Sequence, residues 1–263
     1  MDRLPLVIST FCFLVAFAYT VFALRKGYYR PGRRSLVLIG TGFIFQTIFL
    51  HHRGEQIGHC PLTNLFEVLI FLCWSINLLY LVVGHTYRLS LLGAFTAPLV
   101  FVIQVVALIT PFDTPAQIVT HPNPWAELHA ALSVIAYGAF AMAGVAGVMY
   151  LVQERQLKTH HLHSLFFLMP PITTLAIANN RLLWAGFGIL TAGLFAGIMV
   201  GAPVGWIKMG WGIGMWLVYL AIICARRLGP RRIALLSLGA FLLTFPILWG
   251  VHFFVEKARI LAP

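Results

Sequence analysis

Histidine is the residue type in this sequence whose number and placement point most directly to chemistry. The chain has ten histidines, and imidazole binds metal ions and haem iron and titrates near neutral pH. Two of them, His129 and His252, lie at the ends of apolar segments long enough to be membrane helices. A side chain in such a place can point into a helix bundle. We therefore predict that His129 and His252 ligate a metal, against the alternative that interfacial histidines simply lie among lipid headgroups.

A carboxylate inside an apolar segment is the second candidate for chemistry. Glu67 lies near the start of a predicted membrane helix, and Asn64 precedes it by three residues, which places the two side chains on one helical face. An ionisable group in a membrane helix is costly and is a functional candidate by default. Two interpretations stay open. Glu67 and Asn64 contribute to a cofactor site, or Glu67 ties its helix to a neighbouring helix or to the backbone of a loop.

Tryptophan is the third candidate, because a planar cofactor needs flat aromatic walls. Trp206, Trp211 and Trp216 surround the start of the predicted seventh helix, and Trp125 and Trp249 are expected at a similar depth. Aromatic belts are also normal at both membrane interfaces. The sequence indicates Trp206 and Trp211 as candidate walls of a porphyrin site, and their position alone does not separate this interpretation from an ordinary belt.

Several other chemistries are not expected from this sequence. It contains no Walker loop, no G-x-G-x-x-G motif, no H-E-x-x-H motif and no G-x-S-x-G motif. Only seven residues are acidic, which argues against a hydrolase built on paired carboxylates. The four cysteines contain no C-x-x-C pair, so the vicinal dithiol of a thiol–disulfide relay is missing. An enzymatic role is therefore not predicted.

The elements that position these residues follow from the apolar runs. Of 263 residues, 60% are hydrophobic and only 10% are charged, compared with roughly 25% charged residues in soluble domains. A chain this apolar is expected to lie in a bilayer, where helices satisfy the backbone groups and each span takes about 20 residues. The sequence predicts one all-α polytopic membrane domain over residues 1–263, with about eight helices in one bundle: 5–24, 35–52, 62–84, 90–110, 127–152, 182–200, 210–225 and 233–254.

Two segments of the sequence allow more than one interpretation. The first apolar run is interpreted as a retained helix, and not as a signal peptide, because it lacks a basic n-region and an evident cleavage site. The stretch 153–181 contains Pro170 and Pro171 and no deep apolar run. It is predicted to be a cytoplasmic connection, with or without a short interfacial helix.

The distribution of basic residues predicts how the chain is oriented in the membrane. Thirteen of the 18 Lys and Arg residues fall on one side of the eight predicted helices. The positive-inside rule places that side in the cytoplasm, so both termini are expected on the outer side of an inner or plasma membrane. The net charge of +11 is thus mainly a topology signal. Because the charges are divided among short loops, no nucleic-acid partner is expected.

Four stretches together resemble the cytochrome c assembly family of membrane haem-handling proteins, which includes CcsA-, HemX- and YpjD-like proteins. The first stretch is similar to the family's P-L-S/T-N-L-Y/F-E opening of a helix, and the second to its helix with an outward-facing haem-ligand histidine. Their order and spacing match over roughly residues 60–255. The stretches are P-L-T-N-L-F-E at 61–67, W-A-E-L-H at 125–129 with the small-residue run to Gly147, L-M-P-P at 168–171 with R-L and G-F-G-I-L-T at 181–191, and W-L-V-Y at 216–219.

The resemblance implies particular roles, and the sequence departs from some of them. His129 matches the family's first outer histidine. The tryptophan-rich loop is short here, G-W-I-K-M-G-W at 205–211, and lacks the aspartate of the family's W-x-W-D signature. Cys224 stands where a membrane histidine is expected. The second outer histidine normally follows the last helix, where the tail 255–259 has none, and His252 is the candidate substitute.

Three functions are weighed on this basis. The first is a haem-binding or haem-presenting component of cytochrome c biogenesis, with His129 and His252 as iron ligands and with two expected partners, a second cytochrome c maturation membrane protein and apocytochrome c. The second is a HemX- or YpjD-like membrane regulator or assembly factor that does not deliver haem, which the incomplete signature favours. The third is a small-molecule or proton transporter that uses Glu67.

Overall fold

The structure is a computed structural model that describes residues 3–25, 33–87, 92–109, 123–159, 170–201 and 206–244. These residues form eight α-helices and no strand, which confirms the predicted all-α class. A short 3-10 turn, Ala225–Leu228, follows the seventh helix. The helices are α1 (Leu4–Arg25), α2 (Arg33–Ile57), α3 (Leu65–Tyr87), α4 (Leu92–Ile109), α5 (Pro124–Thr159), α6 (Ile172–Met199), α7 (Trp206–Cys224) and α8 (230–244).

Most of these helices suit a lipid environment. Six of them, α1 to α6, are long and apolar enough to cross a membrane by length and composition, and α7 contains a shorter apolar stretch, Met209–Cys224. Large apolar side chains such as Phe11, Ile198 and Leu243 are more than half exposed, as expected for surfaces that face lipid tails. The chain is therefore built as a multi-pass membrane bundle. The membrane side on which each terminus lies stays a prediction.

The predicted helix bounds on either side of the connection over 153–181 are wrong. Helix α5 continues to Thr159, and α6 already begins at Ile172. The polar end of α5 is stabilised as a helix by the Glu154–Lys158 ion pair, whose side chains are four residues apart and 2.9 Å from each other. An apolar window detects only the part of a helix that faces lipid, so it misses helical ends that protrude into water. Residues 160–169 of the predicted connection lie outside the described residues.

Two groups of helices make up the bundle. Helices α1 to α4 pack on one another, α3 also contacts α5, and α5 packs along α6. Small residues allow these close approaches. A Cβ atom at Gly138 of α5 would lie 2.9 Å from the Cβ of Ser75 in α3, and one at Gly186 of α6 would lie 2.6 Å from the ring of Phe140. These glycines therefore set how closely α5 approaches its neighbours.

A chain of buried amides connects the first four helices. Asn77 of α3 donates from Nδ2 to Oε1 of Gln46 in α2 at 2.8 Å, and Gln46 donates from Nε2 to Oε1 of Gln104 in α4 at 2.9 Å. Gln104 in turn donates to the carbonyl of Leu6 in α1 at 3.1 Å. All three amide side chains are fully buried. Because hydrogen bonds between membrane helices hold them together, this amide chain fixes the relative positions of α1 to α4.

Candidate functional site

His129 is held by the backbone of a neighbouring helix. It lies in the second turn of α5 and is partly buried, and its Nδ1 is 2.7 Å from the carbonyl oxygen of Gly193 in α6. A carbonyl only accepts hydrogen bonds, so in the neutral ring Nδ1 must carry the proton and donate it. The lone pair is then on Nε2. Metal-binding histidines have this arrangement, in which the second ring nitrogen donates to a carbonyl or carboxylate and fixes the tautomer.

A second glycine of α6 provides the space for the His129 ring. A Cβ atom at Gly197 would lie 2.8 Å from His129 Nδ1 and 3.2 Å from its Cε1. Gly193 and Gly197 are four residues apart and share a face of α6. The imidazole therefore lies directly against the helix backbone, with one glycine accepting its hydrogen bond and the other leaving room for the ring.

The start of α5 is fastened to the end of α6, which fixes the depth of His129. Asn123 accepts a hydrogen bond from the backbone N–H of Trp125 at 3.0 Å, in the manner of a helix cap. Its Nδ2 donates to the carbonyl of Val200 at 3.3 Å. We call this part of the bundle the His129 end. There α2, α4 and α6 end, and α3, α5 and α7 begin.

Of the other residues predicted for the cofactor site, Trp211 has a described side chain, whereas Trp206 and His252 do not. Trp211 lies in the second turn of α7 and is 43% exposed. The adjacent Gly212 packs on α6, where its Cβ would lie 3.1 Å from Leu194 Cδ2, so α7 and His129 both contact this part of α6. Trp206 begins α7, but its side chain lies outside the described part of the chain. His252 also lies outside the described residues.

Glu67 is fully buried and is held by three groups from outside its own helix. Its Oε1 accepts a hydrogen bond from Arg53 Nε at 2.9 Å, and Arg53 lies near the end of α2. Its Oε2 accepts from the backbone N–H of Thr63 at 2.9 Å and from the Thr63 hydroxyl at 2.7 Å. These contacts are those of the second interpretation, in which Glu67 ties α3 to a neighbouring helix and to the loop before it. Its role in a cofactor site stays a prediction.

Asn64 completes the same arrangement. Its Oδ1 accepts a hydrogen bond from the backbone N–H of Glu67 at 2.8 Å. Asn64 therefore caps the N-terminus of α3, as Asn does in many helices. The three-residue spacing that suggested a shared site is the spacing of a helix cap and its third residue. The partner that the sequence did not reveal is Arg53, 14 residues before Glu67 and on another helix.

A shallow hollow lies beside this ion pair at the His129 end. Its polar lining includes Glu127, two residues before His129 in α5. Among the described residues, no group of three or more His, Cys, Asp or Glu side chains is placed to hold a metal ion. The described lining of the hollow thus lacks the geometry of a metal centre. Its lining residues are Leu50, His51, Gly54, Glu55, Gly58, His59, Cys60, Pro61 and Glu127.

Cys60 is a poor nucleophile in this setting. Burial, followed by the negative charges of Glu127 and Glu67, raises the pKa of the Cys60 thiol to about 11. The thiolate is the reactive form of cysteine. At neutral pH nearly all of the Cys60 side chain is therefore in the protonated, unreactive form.

Alkylation should reveal this raised pKa directly. In a Cys12→Ser, Cys73→Ser, Cys224→Ser background, Cys60 should react with iodoacetamide at pH 8 on the order of a hundredfold more slowly than a free thiol of pKa about 8.5. The rate should rise with pH until about pH 11. Glu127→Gln should speed the reaction at pH 8, because it removes a negative charge that opposes the thiolate. A rate profile with its midpoint near pH 8.5 would contradict the assignment.

Comparison with known proteins places the chain in a family. The model of the cytochrome C assembly protein family matches residues 62–257, which is most of the chain. The chain therefore belongs to the cytochrome c assembly protein family, as the four sequence stretches predict. The match begins just before α3 and includes Glu67 and His129.

Individual relatives agree with this placement. The chain is 28% identical over 241 residues to the cytochrome c biogenesis protein CcsA of Guillardia theta, which covers 79% of this chain and 78% of that protein. It is also 28% identical to CcsA of a Synechococcus strain, in an alignment that covers 82% of this chain and 81% of that protein. Protein HemX of Brevibacillus brevis is 27% identical over 177 residues, covering 66% of this chain and 65% of that protein. Similarity thus extends to both kinds of relative.

Proposed function

We propose that this chain is a haem-binding or haem-presenting component of cytochrome c biogenesis, with His129 as an iron ligand. One observation carries the proposal. The hydrogen bond from His129 Nδ1 to Gly193 leaves the Nε2 lone pair free for a metal, and the ring is already oriented by α6. Family membership supports the same role, since relatives named CcsA are cytochrome c biogenesis proteins.

The surrounding residues suit a planar, largely apolar ligand. Glycine backbone at Gly193 and Gly197 lets the His129 ring lie deep against α6. Trp211 and Trp206, both near the start of α7, supply the aromatic surface that we assign to the porphyrin face, and His252 is proposed as the second axial ligand. Haem in this role is cargo. It would be presented to apocytochrome c with a second membrane protein, since this chain has no dithiol with which to keep the acceptor cysteines reduced.

The proposal is tested by the absorption spectrum of the detergent-purified protein from haem-replete cells. Wild type should show a Soret band, and His129→Ala should lose it or shift it strongly, because an axial ligand is removed. His52→Ala is the matched control, since His52 is exposed at the same end of the bundle and should keep the wild-type spectrum. Equal haem content and an unshifted band in His129→Ala would overturn the assignment.

Glycine substitutions in α6 test the position of the His129 ring without removing it. In Gly197→Ala the new methyl group would collide with the imidazole, so the Soret band should shift or weaken about as much as in His129→Ala. Gly188→Ala in the same helix meets no atom within 4 Å and serves as the control. A variant at Gly197 with the spectrum of Gly188→Ala would show that the ring position does not matter for haem.

A membrane regulator is the second candidate function. It is favoured by the HemX relative and by the loop 205–211, which retains tryptophans but has no aspartate. This candidate predicts that the purified wild-type protein contains no haem and that deletion of the chain alters haem synthesis while cytochrome c still matures. Loss of mature cytochrome c on deletion, restored by wild type but not by His129→Ala, would favour the first function instead.

A further inference from the structure

A cavity with both polar and apolar lining residues lies at the opposite end of the bundle from His129. It has a volume of about 300 Å³, at the lower limit of small-ligand pockets, which span about 300–1,000 Å³. Three helices, α5, α6 and α8, contribute its walls. We call it the Asn180 cavity. Its lining residues are Tyr150, Ala176, Asn179, Asn180, Pro230, Ile233 and Ala234.

The polar groups of the Asn180 cavity are not all used by the protein. Asn179 is 3% exposed, and its Nδ2 donates to the carbonyl of Ala143 at 2.7 Å and to the hydroxyl of Ser237 at 3.0 Å, which joins α5, α6 and α8. The amide of Asn180 and the hydroxyl of Tyr150 make no hydrogen bond to any other described residue. Both groups can donate, so the cavity offers hydrogen-bond donors to an acceptor.

The cavity lies at the depth of the lipid headgroups. Helix α5 has 36 residues and is about 54 Å long at 1.5 Å per residue, which exceeds the hydrocarbon thickness of about 30 Å. Tyr150 is about 39 Å along α5 from Pro124. Asn179 is about 30 Å along α6 from Met199, where that helix ends beside His129. A bilayer that begins near the His129 end therefore ends close to this cavity.

A basic side chain lies at the edge of the cavity. Arg231 follows the lining residue Pro230 and is exposed, and its Nε is 3.3 Å from Glu154 Oε2, one helical turn after the lining residue Tyr150. Among the described residues at this end, Glu154 is the one carboxylate, and it is already paired with Lys158 at 2.9 Å and with Arg231 at 3.3 Å. The basic residues from α5 to α8 at this end whose side chains the structure describes are Arg155, Lys158, Arg181, Arg227, Arg231 and Arg232.

We propose that the Asn180 cavity binds the phosphate group of an anionic phospholipid. Basic pockets between membrane helices at the headgroup level bind such lipids. The hydrogen-bond donors of Asn180 and Tyr150 line this cavity, and basic residues outnumber the one carboxylate on the helices around it. A bound lipid would contact α5, α6 and α8 together. It would thereby hold α6, the helix that carries Gly193 and Gly197, against α5. The site is separate from the proposed haem site and does not depend on it.

Thermal unfolding of the full-length protein in detergent tests the proposal, with tryptophan fluorescence as the readout. Added phosphatidylglycerol should raise the midpoint by about 5 °C, because a ligand that binds only the folded state stabilises it. Phosphatidylcholine and inorganic phosphate, added at the same concentration, should raise it little. Arg231→Gln should remove most of the phosphatidylglycerol effect, because Arg231 is the basic residue at the edge of the cavity. Arg34→Gln, an exposed arginine on α2 at the same end of the bundle, should retain it.

A cavity-filling variant separates a built site from general attraction to basic loops. Ala176→Phe places a ring in the cavity and should abolish the stabilisation by phosphatidylglycerol, while Ala192→Phe, at an exposed position of the same helix, should leave it unchanged. An equal effect of phosphatidylcholine, or a persistent effect in Ala176→Phe, would overturn the proposal. Full stabilisation by inorganic phosphate alone would also overturn it, because the ligand would then be a free anion and not a lipid.

Discussion

Arg53→Ala should be among the most destabilising single substitutions in this chain. Removing the guanidinium leaves the carboxylate of Glu67 fully buried, with Thr63 as its remaining donor outside α3. Breaking a buried ion pair by deleting one partner typically costs about 3–5 kcal/mol. The Arg53 side chain is 18% exposed, so some water can reach the site and the lower part of that range is expected. Reversible unfolding in mixed micelles, followed by tryptophan fluorescence, would measure the loss.

Two further variants identify the buried charge as the cause. Arg53→Ala combined with Glu67→Gln should recover much of the lost stability, because the neutral amide does not need a cation. Glu55→Gln is the control, since Glu55 is 60% exposed and its ion-pair partners among the described residues are His51 and His52, at 3.4 and 3.6 Å. That change should alter stability by less than about 0.5 kcal/mol. Additive losses in the Arg53 and Glu67 double variant would contradict the explanation.

The residues next to Glu67 in sequence already include some of its contacts. The P-L-T-N-L-F-E stretch contains both the cap residue, Asn64, and the loop residue that binds the carboxylate, Thr63. A helix start was therefore readable from the sequence. The pairing with Arg53 was not, because it depends on how closely the end of α2 approaches the start of α3. Spacing along one chain does not report such a distance.

For His129, too, the sequence predicts the position along the helix but not the contacts with a neighbouring helix. Its place near the outer end of a helix was predicted from the apolar run, and its resemblance to a family histidine drew attention to it. The hydrogen bond to Gly193 and the space left by Gly197 depend on the crossing of α5 and α6, and a carbonyl group has no signature in a sequence. The sequence shows Gly193 and Gly197 four residues apart, but it does not show that a histidine lies against them.

Helix ends were the least predictable part of the fold. The prediction ended the fifth helix at residue 152 and began the sixth at residue 182, whereas α5 reaches Thr159 and α6 starts at Ile172. Those extensions carry polar residues such as Glu154 and Lys158, which a membrane criterion excludes. They matter because they frame the Asn180 cavity. Apolarity alone does not identify the polar ends of these helices, although such ends are where a membrane protein contacts lipid headgroups and soluble partners.

The buried amide chain leads to the second large effect, in Gln46→Leu. Gln46 is the central member of the chain, so its loss leaves Nδ2 of Asn77 and Oε1 of Gln104 without their partners in a fully buried place. A buried polar group left unpaired costs about 1–3 kcal/mol. Interhelical hydrogen bonds in membranes contribute only about 0.6 kcal/mol on average. That average applies where the polar groups find other hydrogen-bond partners once the bond is broken. Here two groups are stranded, and a loss of about 2–4 kcal/mol is expected.

The decisive comparison is between one substitution and three. If amides left without hydrogen-bond partners cause the loss, the triple variant Gln46→Leu, Asn77→Leu, Gln104→Leu should be more stable than Gln46→Leu alone. The triple variant has no amide of this hydrogen-bonded set left to remain unpaired. Gln56→Leu, at an exposed position of the same helix, is the control and should change stability little. A triple variant that is weaker than the single one would mean that the hydrogen bonds themselves stabilise α1 to α4. In that case the amide chain contributes to the strength of the bundle, and not only to the specificity of its packing.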